Sequence, residues 1–155
     1  MKSGPIERKS ARLPAADMRL VIDTNLVISG LLWNGAPRRL IELALNGKVE
    51  LFTSEHLLKE LSGVLARDKF EKRMAQTRKT QAMLMHEYGA LYSVVVPAPL
   101  QPIAPDPDDD WVIATAIAAK ADLIVTGDKP FLGVGQVGDI RIVTVAQALA
   151  LLADA

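Results

Sequence analysis

Short runs rich in Val, Ile and Leu, separated by stretches of helical period, restrict this chain's fold more than any other feature. The runs are "RLVI" (19–22), "VELFTS" (49–54), "YSVVVP" (92–97), "ADLIVTGD" (121–128) and "IRIVTV" (140–145). Each is bounded by turn or helix-start residues and is too short for a helix. Between them lie helical segments. Asn25 to Leu32 makes a turn or two, and "APRRLIELALNG" has Pro near its start and Gly47 as its stop. Ser54 stands where an N-cap belongs, ahead of a stripe of Leu57, Leu58, Leu61, Val64 and Leu65. A longer helical stretch runs from about Lys69 to Tyr88. Trp111 to Lys120 is apolar nearly all round, and "AQALALLA" closes the chain. "APLQPIAPDP" is a proline-rich connection without room for regular structure. Strands alternating with helices predict a three-layer α/β/α sandwich around a mostly parallel sheet of about five strands.

At 155 residues the chain is expected to form one domain, spanning residues 18–152, with residues 1–17 a flexible leader and Met18 a plausible natural start. Lys plus Arg equals Asp plus Glu at 18 each, so no global charge points to a nucleic acid or an anionic membrane. There is no cysteine, which excludes disulfides, thiolate nucleophiles and Cys-based zinc sites and suits a cytoplasmic protein. No apolar run approaches the ~18 residues of a membrane span, and the N-terminal stretch lacks the apolar region of a secretory signal.

Strand one runs straight into a carboxylate, Asp23, and strand four ends Thr126-Gly127-Asp128. In open parallel sheets, sites form beyond the carboxyl ends of the strands. If these two strands are adjacent, Asp23 and Asp128 meet there. The helix feeding strand four begins "PDPDDDW" at that same edge, and Asp110 is the member of the run placed toward the cluster. Glu60 lies on the flank of the buried stripe of its helix rather than on the solvent face. Converging carboxylates repel and raise one another's pKa. A divalent cation resolves this, and hard oxygen donors favour Mg²⁺ or Mn²⁺. Thr24, Asn25 and Thr126 are neutral polar neighbours suited to orienting ligands or an attacking water.

Blander readings apply to other residues. Asp106-Pro107 has the form of an N-cap followed by Pro at the first helical position, and Asp108 and Asp109 would then be first-turn anions favoured by the helix dipole. His56 and His86 read as surface side chains, and Trp33 and Trp111 as core or interface aromatics. Gly133 and Gly135 precede a strand rather than open a helix, so a dinucleotide-binding geometry is missing.

"VIDTN", "LLKEL", "DPDDDWVIATAIAAKADLIVTGD" and "IRIVTVAQALA", in this order and spacing, resemble the PIN domain. The resemblance covers Met18 to about Leu152, and the nearest likeness is to VapC-like toxin components of type II toxin–antitoxin pairs. It implies a metal-dependent ribonuclease with Mg²⁺ or Mn²⁺ in an acidic pocket. The family's acids fall on Asp23, Glu60, Asp110 and Asp128, its polar residue after the first acid on Asn25, and its Ser/Thr before the last acid on Thr126. Some members also carry Asp where Asp106 stands. The resemblance further implies a homodimer and a small antitoxin that masks the pocket.

For an RNA substrate the candidate contacts are basic. Residues 67–80 hold Lys69, Lys72, Arg73, Arg78 and Lys79 along with Arg67, and Arg38 and Arg39 form a second pair. A solvated helix face is the alternative reading of the same residues. Two other functions fit a strand-end acid. One is a phosphotransfer or phosphatase enzyme, although Asn25 stands where the haloacid-dehalogenase type wants a second Asp. The other is a non-catalytic metal-binding module.

Overall fold

In the computed structural model, residues 18–153 are described; the expected leader, residues 1–17, lies outside them. The strands are β1 (Arg19–Ile22), β2 (Glu50–Thr53), β3 (Tyr92–Val94), β4 (Leu123–Val125), β5 (Gln136–Val137) and β6 (Ile140–Val143). They form one sheet in the order β3-β2-β1-β4-β6-β5. Every pair is parallel except β5–β6, which forms a hairpin. The sheet therefore has six strands rather than about five. The extra strand is two residues long, too short to leave a periodic signal, and its turn uses Gly138 at φ 56, a conformation that favours glycine.

The helices are α1 (Thr24–Leu32), α2 (Ala36–Leu45), α3 (Glu55–Leu65), α4 (Glu71–Thr77), α5 (Gln81–Leu91), α6 (Asp109–Ala119), α7 (Lys129–Leu132) and α8 (Val145–Ala153). The stretch expected as one helix from Lys69 to Tyr88 is divided. A short 3₁₀ turn (Asp68–Phe70) leads into α4, which stops at Arg78 in the left-handed region (φ 59); α5 then restarts with Thr80 Oγ1 accepting from the Met83 amide at 3.1 Å.

Strand alternation sorts the core into two layers. Leu20, Ile22, Leu123 and Val125 face a core completed by α1, α2, α5, α8 and the later turns of α3. Val21, Ile124 and Ile142 face the other way, onto Val112, Ile113, Ala116 and Ala119 of α6 and onto Phe131. Because α6 is buried between sheet and loop, it is apolar on almost every side, as its sequence predicts. Helix α3 contributes to both layers: Leu57 joins the α6 side, and Leu61, Val64 and Leu65 join the α1 side. The turn that carries Glu60 lies between these anchors.

Candidate active site

The parallel pairing of β1 with β4 brings their carboxyl ends together. The Asp23 amide donates to the Val125 carbonyl at 2.9 Å, closing the ladder. Asp23 is then the N-cap of α1: its carbonyl accepts from the Leu26 and Val27 amides at 3.0 and 3.1 Å. A carboxylate here lies at the positive end of the helix dipole. Thr126 Oγ1 donates to Asp23 Oδ2 at 2.7 Å and accepts from the Asp128 amide at 3.1 Å. One hydroxyl thus fixes Asp23 and the backbone of Asp128 together. Asp128 caps the short α7, with Oδ2 accepting from the Phe131 amide at 3.0 Å.

Thr24 Oγ1 donates to Glu60 Oε1 at 2.6 Å, which ties α3 to the first residue of α1. Thr24 and Thr126 each hold one of the edge carboxylates through a hydroxyl. Asn25 is exposed beside Asp23, and its carbonyl accepts from Ser29 Oγ at 3.1 Å.

Asp110 is held by the loop ahead of α6. It is buried (8 % exposed), and its Oδ1 accepts from the amides of Ile103 (3.0 Å) and Ala104 (2.8 Å). One carboxylate oxygen is therefore engaged by the proline-rich loop, where Pro99, Pro102 and Pro105 contribute no N–H and the adjacent Ile103 and Ala104 amides share Oδ1 as acceptor. Its neighbour Asp109, expected to be only a helix-dipole anion, is the one coupled to the other acids. Its pKa is pushed up to about 7, first by burial and then by the charges of Asp23, Asp106, Asp128 and Glu60. Asp106 is not an N-cap. Its Oδ1 accepts from the Asp108 amide at 3.0 Å in a turn ahead of α6, and its charge acts on Asp109.

Asp23 is also raised. Burial is the largest cause, opposed by the Thr126 hydrogen bond and the Thr24 backbone, and reinforced by Glu60 and Asp128. Asp23, Glu60, Asp109 and Asp128 therefore share one electrostatic environment at the carboxyl edge of the sheet.

Among the described residues, no three His, Asp or Glu side chains gather tightly enough to chelate an ion by themselves. Mg²⁺ keeps several waters and takes only one or two carboxylates directly. The donor set fits such an ion: hard oxygens, no thiolate, and acids that resist joint ionisation without a counter-charge.

Around this edge, Ser54 occupies the N-cap position of α3, but its hydroxyl pairs with Thr115 Oγ1 at 2.9 Å instead of capping, which binds α3 to α6. His56 is half-buried and stacks on Trp111 at 3.9 Å, so Trp111 joins α6 to α3 as an interface aromatic. His86 is exposed. Trp33 is 42 % exposed, not core, with its edge toward Phe70.

The basic residues divide. Arg38 Nη1 donates to the Gly30 carbonyl (3.3 Å) and pairs with Glu87 (3.4 Å), and Lys79 pairs with the same Glu87 (3.2 Å). Arg73 Nε donates to the Leu32 carbonyl at 2.7 Å. Arg38 and Arg73 thereby satisfy carbonyls at the C-terminus of α1. Arg39, Lys69, Lys72 and Arg78 are exposed.

Comparison with known proteins matches residues 19–130 to the family described as "PIN domain". An uncharacterized protein of Methanocaldococcus jannaschii, MJ1680, is 29 % identical over 116 residues, covering 74 % of each chain. Two crystal structures share the fold. One is PAE2754 from Pyrobaculum aerophilum, with TM-score 0.57 and 14 % identity, covering 92 % of this chain and 93 % of that one. The other is FitAcB from Neisseria gonorrhoeae, with TM-score 0.50 and 17 % identity, covering 82 % and 98 %.

Proposed function

The chain belongs to the PIN-domain family, whose members are generally nucleases, and from that premise we propose that it is a Mg²⁺- or Mn²⁺-dependent endoribonuclease. The observation that carries the proposal is the convergence of Asp23, Asp128 and Glu60 at the ends of β1 and β4, tied by the Thr126 and Thr24 hydroxyls, with the raised Asp109 coupled to the same charges.

In this reading Asp23, Asp109 and Asp128 hold the ion, directly or through water. Asp109 takes the place expected for Asp110, whose Oδ1 is engaged by two loop amides. A bound Mg²⁺ or Mn²⁺ supplies an activated water at neutral pH and offsets charge on the phosphoryl oxygens. Glu60, steadied by Thr24, orients the attacking water and accepts its proton or completes the ion's shell. Thr126 keeps Asp23 aligned. Water attack would form one P–O bond as the bond to the leaving sugar oxygen breaks, that oxygen taking a proton from solvent, so no covalent enzyme intermediate is needed. Exposed Arg39, Lys69, Lys72 and Arg78, with Arg38, Arg73 and Lys79, supply contacts to the RNA backbone.

The likeness to toxin components extends the proposal to a cytoplasmic toxin, a homodimer whose pocket a small antitoxin masks. No described helix is long and apolar enough to cross a membrane. Sedimentation of the purified chain at its monomer mass of 16.8 kDa at all concentrations would rule the dimer out.

Incubation of the protein with labelled single-stranded RNA tests the activity. Cleavage with Mn²⁺, lost with EDTA and in Asp23→Asn, is the expected result. Turnover of a phosphomonoester in place of RNA would favour a phosphatase. Mn²⁺ binding without turnover of either would favour a non-catalytic module.

A further inference from the structure

A cleft of about 320 Å³ opens where the C-terminus of α1 meets α2 and α4, lined among others by Trp33, Asn34, Arg38, Glu42, Arg73 and Lys79. We infer that this cleft is a subsite for one nucleotide of the RNA strand, with its base stacked at Trp33 and its phosphate held by Arg73. The inference rests on the ribonuclease reading for its ligand class, but not on the details of metal chemistry.

Trp33 keeps much of its ring in solvent, an expensive place for an indole whose aromatic contact is a T-shaped one with Phe70 at 6.4 Å. The Arg73 guanidinium stands 5.3 Å over the same ring. Its Nε is used by the Leu32 carbonyl, which leaves the terminal nitrogens of the guanidinium as further donors. Arg38 and Lys79 are offset by Glu42 and Glu87, whereas Arg73 pairs with no carboxylate among the described residues. The cleft's uncancelled positive charge therefore sits beside its aromatic face. An indole with a guanidinium above it is a surface on which an unpaired base stacks, and Asn34 adds an amide able to donate to or accept from a base edge.

The cleft is also connected to the acids. Asn25, Ser29 and Trp33 recur at every fourth position of α1 and its C-cap, and all three keep solvent exposure. They form a stripe about 12 Å long at 1.5 Å per residue, starting beside Asp23 and ending in the cleft. Single-stranded RNA laid along this stripe would place a phosphodiester at the acidic edge while a nucleotide further along occupies the cleft.

Trp33 and Trp111 are the two tryptophans. In Trp111→Phe, Trp33 fluorescence is followed while an oligouridylate is added in EDTA, so that no cleavage is required. Saturable quenching, weakened several-fold in Arg73→Gln and by added salt, is expected. With Mn²⁺, Trp33→Leu should raise KM for the oligouridylate roughly tenfold, the scale of one lost base stack, with kcat little changed. Its turnover of methyl p-nitrophenyl phosphate, which has no base to stack, should match wild type. If Trp111→Phe is poorly folded, fluorine NMR of 5-fluorotryptophan-labelled wild type reads the same Trp33 response. RNA cleavage with unaltered KM in Trp33→Leu and no Trp33 response overturns the subsite and leaves the nuclease reading intact. Absence of RNA cleavage in wild type overturns that reading instead, while the titration still decides the subsite. A Trp33 signal that follows protein concentration but not RNA assigns the cleft to a second copy and overturns the inference.

Discussion

Two adjacent carboxylates, Asp109 and Asp110, sit in opposite electrostatic settings. Asp110 accepts two backbone donors at Oδ1, and Asp109 feels the charges of four other acids. Removing the first should be a matter of stability: Asp110→Ala strands the Ile103 and Ala104 amides and is expected to cost about 2–3 kcal/mol in urea unfolding, whereas a cost under about 0.5 kcal/mol, no more than an ordinary surface substitution, would show that the loop does not depend on it. Removing the second should change pH dependence. The folded Asp109 pKa of about 7 lies above its ordinary 3.8, so the native state binds the extra proton. Without metal, its contribution to stability is therefore lost as pH rises from about 4 through 7 and is flat above; Asp23 adds in the same direction. Thermal melts in EDTA should decline over that window in wild type and less so in Asp109→Asn; equal slopes would contradict the coupling. The sequence could not separate these neighbours. A helix buried on almost every side has no polar face to fix its phase, so which of two consecutive acids points at the pocket depends on the loop ahead of it.

Helices and strands with a strong period were legible. β1, β2, α3 and α6 fall close to where their apolar spacing puts them, and the adjacency of β1 and β4 follows from parallel pairing. What escaped was set by tertiary context: the αL break at Arg78, the two-residue β5, and Ser54, whose hydroxyl serves Thr115 rather than the helix it precedes. The contact that holds α1 against α2 was equally silent. A Cβ on Gly30 would come within 3.0 Å of the Pro37 carbonyl and 2.6 Å of Ile41 Cδ1. Ile41 can rotate away, but the Pro37 backbone cannot move without shifting α2. Gly30→Ala should therefore destabilise by roughly 1–3 kcal/mol as overpacking, even though Ala is the better helix former by about 1 kcal/mol. A more stable variant in chemical denaturation would mean that the two helices have room to part.

At the scale of the whole molecule, a sheet edge collects the ends of β1 and β4 and the starts of α1, α3 and α6, which is why acids distant in sequence share one field. The same topology leaves α1 running from the acids to the Trp33 cleft, so the charge balance of an overall neutral chain resolves into an acidic edge and a basic flank. The positions of Asp23 and Asp128 were readable from strand ends; that of Asp109 was not, and neither was the flank, since three of its seven cations are partly spent on protein carbonyls or carboxylates. The central claim is that Asp109 completes a cation site with Asp23 and Asp128. Calorimetric titration with Mn²⁺ near pH 8 tests it most directly. Binding in wild type, at least tenfold weaker in Asp109→Asn and little changed in Asp110→Asn, is the predicted result; undiminished binding in Asp109→Asn, or its loss in a fully folded Asp110→Asn, would contradict it.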